Sequence, residues 1–308
     1  MELRQLRALI TLVEHDYNVS KAAARLNLVQ SAVSQQISKL EAELGTPLFL
    51  RHGKRLIGLT DTGQKIIEYA YRSLATIENI YEIGREQIST GEGMLRIGVT
   101  HMQARYILPS VIKQFRVQYP AIELQVHQGT PAQLVEKAIH DEVDFSVCTE
   151  ALAVSQDLLT IPCYRWNRSL IALADNPILS LEKINLKALS EVPLVTYVQG
   201  FTGCTVFIDT FEQAGIRPKI VLSASDTDVI KTYVREGLGV GIIASPAYVD
   251  DQDQDLIRRD LSELFPWGTT RIAYQKDKFI RRHQRYFIDL LLKTVQQPDR
   301  WHGLIPSE

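Results

Sequence analysis

The feature that most limits the fold is a change of hydrophobic period near residue 90. Up to Ile88, apolar residues recur every three or four positions. From Met94 onward, short apolar runs alternate with helical stretches. A helical period followed by strand–helix alternation, in a chain of 308 residues, predicts two to three domains.

In the helical part, Leu6, Leu9, Ile10 and Val13 share one face of a first helix. Asn18-Val19-Ser20 reads as a turn with Ser20 as the cap of a short second helix, whose Ala22, Ala23 and Leu26 face inward. After the turn Asn27-Leu28-Val29, the spacing of Val33, Ile37, Leu40 and Leu44 predicts the core stripe of a third helix, stopped by Gly45. Short helix, three-residue turn and longer helix make a helix-turn-helix shape. The outer face of the third helix carries Gln30, Ser31, Ser34, Gln35, Ser38 and Lys39, hydrogen-bonding groups suited to base edges and phosphates in a major groove. Pro47–Leu50 and Leu56–Thr60 read as short strands around a basic hairpin that contains Arg51, Lys54 and Arg55.

Charge supports a polyanion partner for this part alone. Residues 1–60 hold eight Lys/Arg against five acids, so they carry +3, and with a net charge of −2 the remainder carries −5. No apolar run reaches membrane-spanning length, and the polar start, Met1-Glu2-Leu3-Arg4, is unlike a secretory signal. The expected place of action is the cytoplasm, with no membrane partner. Cys148, Cys163 and Cys204 fit neither a disulfide framework nor a zinc site.

Thr60 is placed to cap a helix with Asp61 in its first turn. Its stripe of Ile67, Ala70, Leu74, Ile77, Tyr81, Gly84 and Ile88 forms a heptad-like seam, expected to pair with a second copy of the chain. Ser89–Gly93 then reads as a joint. The organisation expected is 1–60, a winged helix-turn-helix; 61–92, linker helix and hinge; and 93–308, a sensor domain.

In the sensor domain, strands are expected at 95–99, 122–127, 144–148, 169–174, 194–197, 219–223, 239–244 and 270–274. Helices are expected at 104–119, 131–140, 205–214, 226–236 and 279–296. This alternation predicts parallel sheets in two lobes. With crossovers near Cys163 and Pro266, lobe one is 93–163 with 267–308, and lobe two is 164–266. Ligands of such folds sit at the carboxyl ends of strands. Thr100, Met102, Gln103, Gly129, Thr130, Thr149 and the Gly200-Phe201-Thr202-Gly203 turn fall there. Hydroxyls, amides and helix-start N–H groups without a matching carboxylate pair, catalytic triad or metal spacing point to binding an anion rather than catalysis, and to no metal or cofactor. Helix capping explains any one of the Thr residues equally well.

Residues 1–65 resemble the DNA-binding segment of LysR-type regulators: Ala22-Ala23-Ala24-Arg25-Leu26, Ser34 to Glu41, Gly45 to Phe49 and Leu59-Thr60-Asp61-Thr62-Gly63. Val29 stands where the family has Ser or Thr, and Gln35 where a basic residue is common. Further motifs resemble the CysB-like branch: Thr100–Tyr106, His127–Thr130, Trp166-Asn167, Gly200–Gly203 and Asp228–Val234. The resemblance implies a winged helix-turn-helix and linker helix joined to a two-lobed, α/β, periplasmic-binding-protein-like effector domain. It also implies an activator of cysteine-biosynthesis or sulfonate-use genes. Its effector residues map to Thr100, Gln103, Thr149, Trp166 and Thr202, for sulfate, thiosulfate, or O- or N-acetylserine. Met102 replaces a Thr and Cys204 an Arg of the branch. Implied partners are double-stranded operator DNA, further copies in a homodimer or homotetramer, and RNA polymerase. Two other readings stay open: a LysR-type regulator answering an unrelated organic acid, and a two-lobed solute-binding protein or enzyme.

Overall fold

The computed structural model describes residues 1–53, 55–88, 92–149, 155–201, 203–296 and 304–306. The chain divides into two compact units, one of Met1–Ile88 with Asp277–Phe279 and one of the remainder.

The first unit opens with α1 (Leu3–Glu14), α2 (Val19–Leu26) and α3 (Gln30–Leu44). A hairpin of β1 (Phe49–His52) and β2 (Arg55–Leu59) follows, then α4 (Asp61–Ile88). Leu6, Leu9, Leu12, Ala22, Val33, Ile37, Leu40 and Leu48 form its core. Each large aliphatic among them contributes roughly 1.5–3 kcal/mol by leaving water. Asn18, not Ser20, caps α2: its side chain accepts the N–H groups of Ser20 and Lys21, so Ser20 lies inside the first turn. Leu44, expected in the core stripe, is exposed, because α3 has run past the core by the turn that Gly45 closes.

The Leu59–Gly63 motif has a physical reading here. The Thr60 hydroxyl accepts the Gly63 N–H at 2.9 Å and donates to the Pro47 carbonyl at 2.9 Å, which ties the start of α4 to the hairpin. A Cβ on Gly63 would lie 2.1 Å from the Leu48 carbonyl oxygen, so no side chain fits.

The seam on α4 is corrected in its first half. Ile67 and Ala70 are buried, and Leu74 partly so, in the core of their own unit rather than against a partner. A three- or four-residue stripe does not say what fills it, and α1 fills this one. Of the seam's second half Tyr81 is exposed, and further apolar exposure lies at Tyr69, Ile80 and Ile83. The joint at Ser89–Gly91 falls outside the described residues.

The second unit begins with β3 (Gly93–Val99), a π-helical turn (Gln103–Ile107) and α5 (Leu108–Gln118). Then come β4 (Ile122–Gln128), α6 (Pro131–Ile139), β5 (Phe145–Thr149), β6 (Leu158–Trp166) and β7 (Arg168–Leu173). Next are α7 (Leu186–Glu191), β8 (Leu194–Tyr197), α8 (Cys204–Gln213), β9 (Ile220–Ala224) and α9 (Thr227–Arg235). The unit continues with β10 (Val240–Ala244), β11 (Leu256–Asp260), β12 (Gly268–Gln275), α10 (Arg282–Val295) and β13 (Leu304–Pro306).

One sheet has the order β13-β6-β12-β5-β3-β4 and the other β11-β7-β10-β8-β9. Both are mixed, which corrects the parallel expectation: β12 runs antiparallel to β5 and β6, and β7 antiparallel to β10 and β11. β6, β11, β13 and the short α7 were not foreseen. In β6 the proline Pro162 masks the strand pattern; it sits at a register shift against β12, where Thr270 pairs with Tyr164 and Arg271 with Pro162. The first crossover falls at Asn167 rather than near Cys163, so Tyr164 to Trp166 belong to the lobe-one sheet. The return runs between Asp260 and Gly268. α10 packs on α5 through Phe115 and Phe287, whose ring centroids are 5.2 Å apart.

Candidate DNA-binding face and effector site

On α3, Val33, Ile37 and Leu40 point into the core, which leaves Gln30, Ser31, Ser34, Gln35, Ser38 and Lys39 all exposed on the opposite face. Val29 stands at the N-cap of the helix and provides no side-chain cap. Its first N–H groups therefore remain available to an outside acceptor such as a phosphate oxygen. In the hairpin, Arg51 and Arg55 are exposed strand residues; Lys54 lies outside the described residues. Arg51 is engaged within the unit as well, donating to Glu41 at 2.8 Å. The other Glu41 oxygen accepts the N–H of Leu48 at 2.9 Å and of Phe49 at 3.3 Å. Glu41 thus pins the hairpin to α3 and fixes where the basic strand points.

In the second unit the carboxyl ends of β3, β4 and β5 meet at one edge, with Val99 opposite both Gln128 and Val147. Thr100, Gly129 and Thr149 follow there. Thr100 and Gln103 are buried and hydrogen-bonded to each other. Gln103 Nε2 also donates to the Tyr164 hydroxyl at 3.3 Å. Tyr164 is the register partner of Thr270, and Thr270 that of Thr149, so the three form a row across β6, β12 and β5. Trp166 follows two residues after Tyr164 on the same face. Burial raises the pKa of the Tyr164 hydroxyl, so it stays protonated and can donate. The sequence reading missed Tyr164 and Thr270, because their neighbours come from strands far apart in the chain.

Other expected residues part company with this row. The Thr130 hydroxyl accepts the Gln133 N–H and caps α6; its neighbour Gly129 packs against the Gln133 side chain. Met102 is buried in the apolar core with Ile107 and Phe115, the usual place for a thioether. Thr202 falls outside the described residues. The adjoining Gly203 has φ +68° and its carbonyl accepts from Arg168 at 2.6 Å.

A second cluster joins the lobes. Asp228, in the first turn of α9, accepts the Tyr106 hydroxyl at 2.8 Å and lies 3.1 Å from His101 Nε2 and 3.4 Å from Arg105 Nε. Partial burial opposes the Asp228 charge, but the hydrogen bonds from Tyr106 and His101 and the nearby Arg105 cation outweigh it and hold the carboxyl below its ordinary pKa. Burial, and then the bond to Asp228, push the Tyr106 hydroxyl upward. Behind it, Lys231 bonds Asp253 at 2.6 Å, both nearly buried, and Arg235 joins at 2.9 Å. Single residues at two distant helix starts carry this bridge, and nothing in either segment alone signals it. His101, Asp226 and Asp228 lie close enough to share a cation. However, Asp226 caps α9 and Arg105 already supplies a positive charge to Asp228.

A helix-turn-helix with a polar outer face, in one chain with a two-lobed domain whose strand ends gather buried polar groups, defines a ligand-responsive transcriptional regulator. Residues 3–64 match the model of the bacterial regulatory helix-turn-helix protein, lysR family, and residues 89–296 that of the LysR substrate binding domain. The chain belongs to the LysR family, and it is a DNA-binding transcriptional regulator rather than an enzyme. It is 42% identical over 289 residues to the HTH-type transcriptional regulator CysB of Haemophilus influenzae, covering 94% of this chain and 89% of that one. With the regulator SsuR of Burkholderia cenocepacia it shares 38% over 299 residues, 97% of each chain. The solved cofactor-binding domain of the Cbl transcriptional regulator matches with 34% identity and a TM-score of 0.63, covering 68% of this chain and 94% of that one. The chain thus falls with the CysB-like branch. Among the described residues no helix is long and apolar enough to cross a membrane.

Proposed function

We propose that this regulator controls, as an activator, genes for cysteine biosynthesis or sulfonate use, and that a small sulfur-linked anion bound at the lobe-one strand ends sets its activity. The observation that carries this reading is the buried, mutually bonded pair Thr100 and Gln103 beside the Thr149 row. Neutral donors and helix-start N–H groups suit a dehydrated oxyanion without a buried counter-charge. Trp166 and Thr202 complete the proposed shell, and sulfate, thiosulfate, O-acetylserine and N-acetylserine are the candidate effectors. The core position of Met102 argues that it shapes this site from behind rather than touching the ligand.

On the DNA side, Gln30, Ser31, Ser34, Gln35, Ser38 and Lys39 would meet base edges and phosphates of an operator in the cytoplasm, with Arg51, Lys54 and Arg55 on the flanking backbone. Ile80, Tyr81 and Ile83 on α4 are the proposed contact with a second copy, in a dimer that can build a tetramer. Contact with RNA polymerase would follow at activated promoters.

Gel shift on the upstream region of a cysteine-biosynthesis operon, with each effector added in turn, tests the reading. A change in operator affinity or footprint with one of the four, reduced in Gln103→Ala, is the expected result. A response to none of them but to an unrelated carboxylate would leave a LysR-type regulator of different metabolism.

A further inference from the structure

Behind the two crossovers lies a cavity of about 250 Å³, lined by Trp166, Arg168, Val206, Pro266, Trp267, Gly268, Thr269 and Arg271. That is room for roughly eight water volumes. The cavity shares only Trp166 with the strand-end site described above.

Three observations set it apart from a packing gap. First, none of the lining residues is acidic, while two are arginines, and Arg168 is nearly buried. Second, the Trp166 indole N–H is buried without a hydrogen-bond partner, which is uncommon for a donor in a folded protein. Third, that indole edge lies over Gly268, which pairs with Trp166 across β6 and β12. A Cβ at 268 would sit 3.0 Å from Cε2 and 3.1 Å from Nε1 of the ring. Glycine therefore lets the indole lie close against β12, where it forms one wall of the cavity.

Both indoles are held in place. The Arg168 guanidinium stacks 5.5 Å from the Trp166 ring centre and that of Arg165 5.5 Å from the Trp267 ring. The walls are then two indoles, Pro266 and the Val206 side chain, and the polar groups are the Arg271 guanidinium and the Thr269 hydroxyl. Both can donate to an anion, and the flat walls suit a ring.

We propose that this cavity is a second ligand site, for a small flat anion carrying a sulfonate or carboxylate on an aromatic ring. The anionic head meets Arg271 and the Thr269 hydroxyl, and the ring lies against the indoles. A regulator so equipped reads an aromatic sulfur source or carboxylate separately from the oxyanion at the strand ends.

Two of the three tryptophans in the chain line the cavity, so intrinsic fluorescence reports it. The full-length protein is titrated with benzenesulfonate, and in parallel with benzoate and with sulfate. Saturable quenching by the aryl anions is expected, weakened by roughly ten- to a hundredfold in Arg271→Ala, where a charge-assisted bond is lost. Val206→Glu, a change on the half-exposed flank of α8, places a like charge at the wall and should weaken it similarly, which covers a folding failure of the first variant. Gln103→Ala should leave the aryl quenching unchanged while losing the strand-end effector response, so the two sites fail separately. No saturable quenching at millimolar ligand overturns the proposal. So does quenching lost in Gln103→Ala but kept in Arg271→Ala, or sulfate binding as tightly as benzenesulfonate through the same residues.

Discussion

The recognition helix and the lobe-one strand ends use the same side-chain chemistry in opposite surroundings. On α3 the serines and glutamines are exposed, on a scaffold held by Val33, Ile37 and Leu40. At the strand ends Thr100, Gln103 and Thr149 are buried, and Gln103 is already bonded on both sides of its amide. An exposed amide costs nothing to leave unpaired and can be selective for whatever it meets. A buried amide is part of the fold and recognises a ligand only in a shape fixed beforehand. Side-chain type alone separates neither case; burial does.

The sharpest way to break the comparison is to unpair a buried charge. Asp253→Ala strands the Lys231 ammonium, which burial already biases against its charge, and should cost about 3–5 kcal/mol in urea unfolding. A loss below about 1 kcal/mol would mean that the Lys231 ammonium reaches water in the variant.

The direct contrast comes next. Gln103→Ala leaves Thr100 and Tyr164 without their bonds and should cost about 1–3 kcal/mol of stability. Gln35→Ala, on the exposed face, should change stability by less than about 0.5 kcal/mol. Its effect should appear as altered preference between operator sequences, worth about 1–3 kcal/mol for a base contact. Equal stability losses in the two variants would erase the distinction.

Asp228 stands between these extremes, partly exposed yet bonded across the lobes. Asp228→Asn should cost below about 1 kcal/mol, because solvent screens a carboxylate 43% exposed. The pH dependence has a fixed sign. The folded carboxyl lies below its ordinary 3.8, so its stabilisation is complete above that value and fades as pH falls through the lowered one. Wild type and variant should differ in melting temperature at neutral pH and converge in acid. The smallest effect is expected for Val29→Ser, which supplies the absent α3 cap and should stabilise by about 0.5 kcal/mol. Thermal melts of the 1–308 chain would read it at the first transition.

Most of the fold was legible because each head helix carries its own stripe and most strands of the lobes are short apolar runs. The α4 seam shows the limit: Ile67 and Ala70 were read as apolar, correctly, but their partner was not, because periodicity describes one surface and not the one opposite. β6 escaped through Pro162, and with it went Tyr164, the residue that links Gln103 to the Thr270 and Thr149 strands. Thr130 was visible as a strand-end hydroxyl, yet its cap bond to Gln133 is local and equally consistent with the same sequence. The Asp228 bridge needed a folded chain, since His101 and Tyr106 stand more than a hundred residues away.

The close approach of Gly63 to the Leu48 carbonyl has a mechanical consequence. α4 is 28 residues long, about 42 Å at 1.5 Å per residue. If a side chain at 63 wedged the base of this helix by ten degrees, its far end would swing by about 7 Å, roughly two base-pair steps of duplex DNA. A single hydrogen atom in place of a methyl group therefore acts as the tolerance of a lever, setting the angle at which the helix leaves the hairpin.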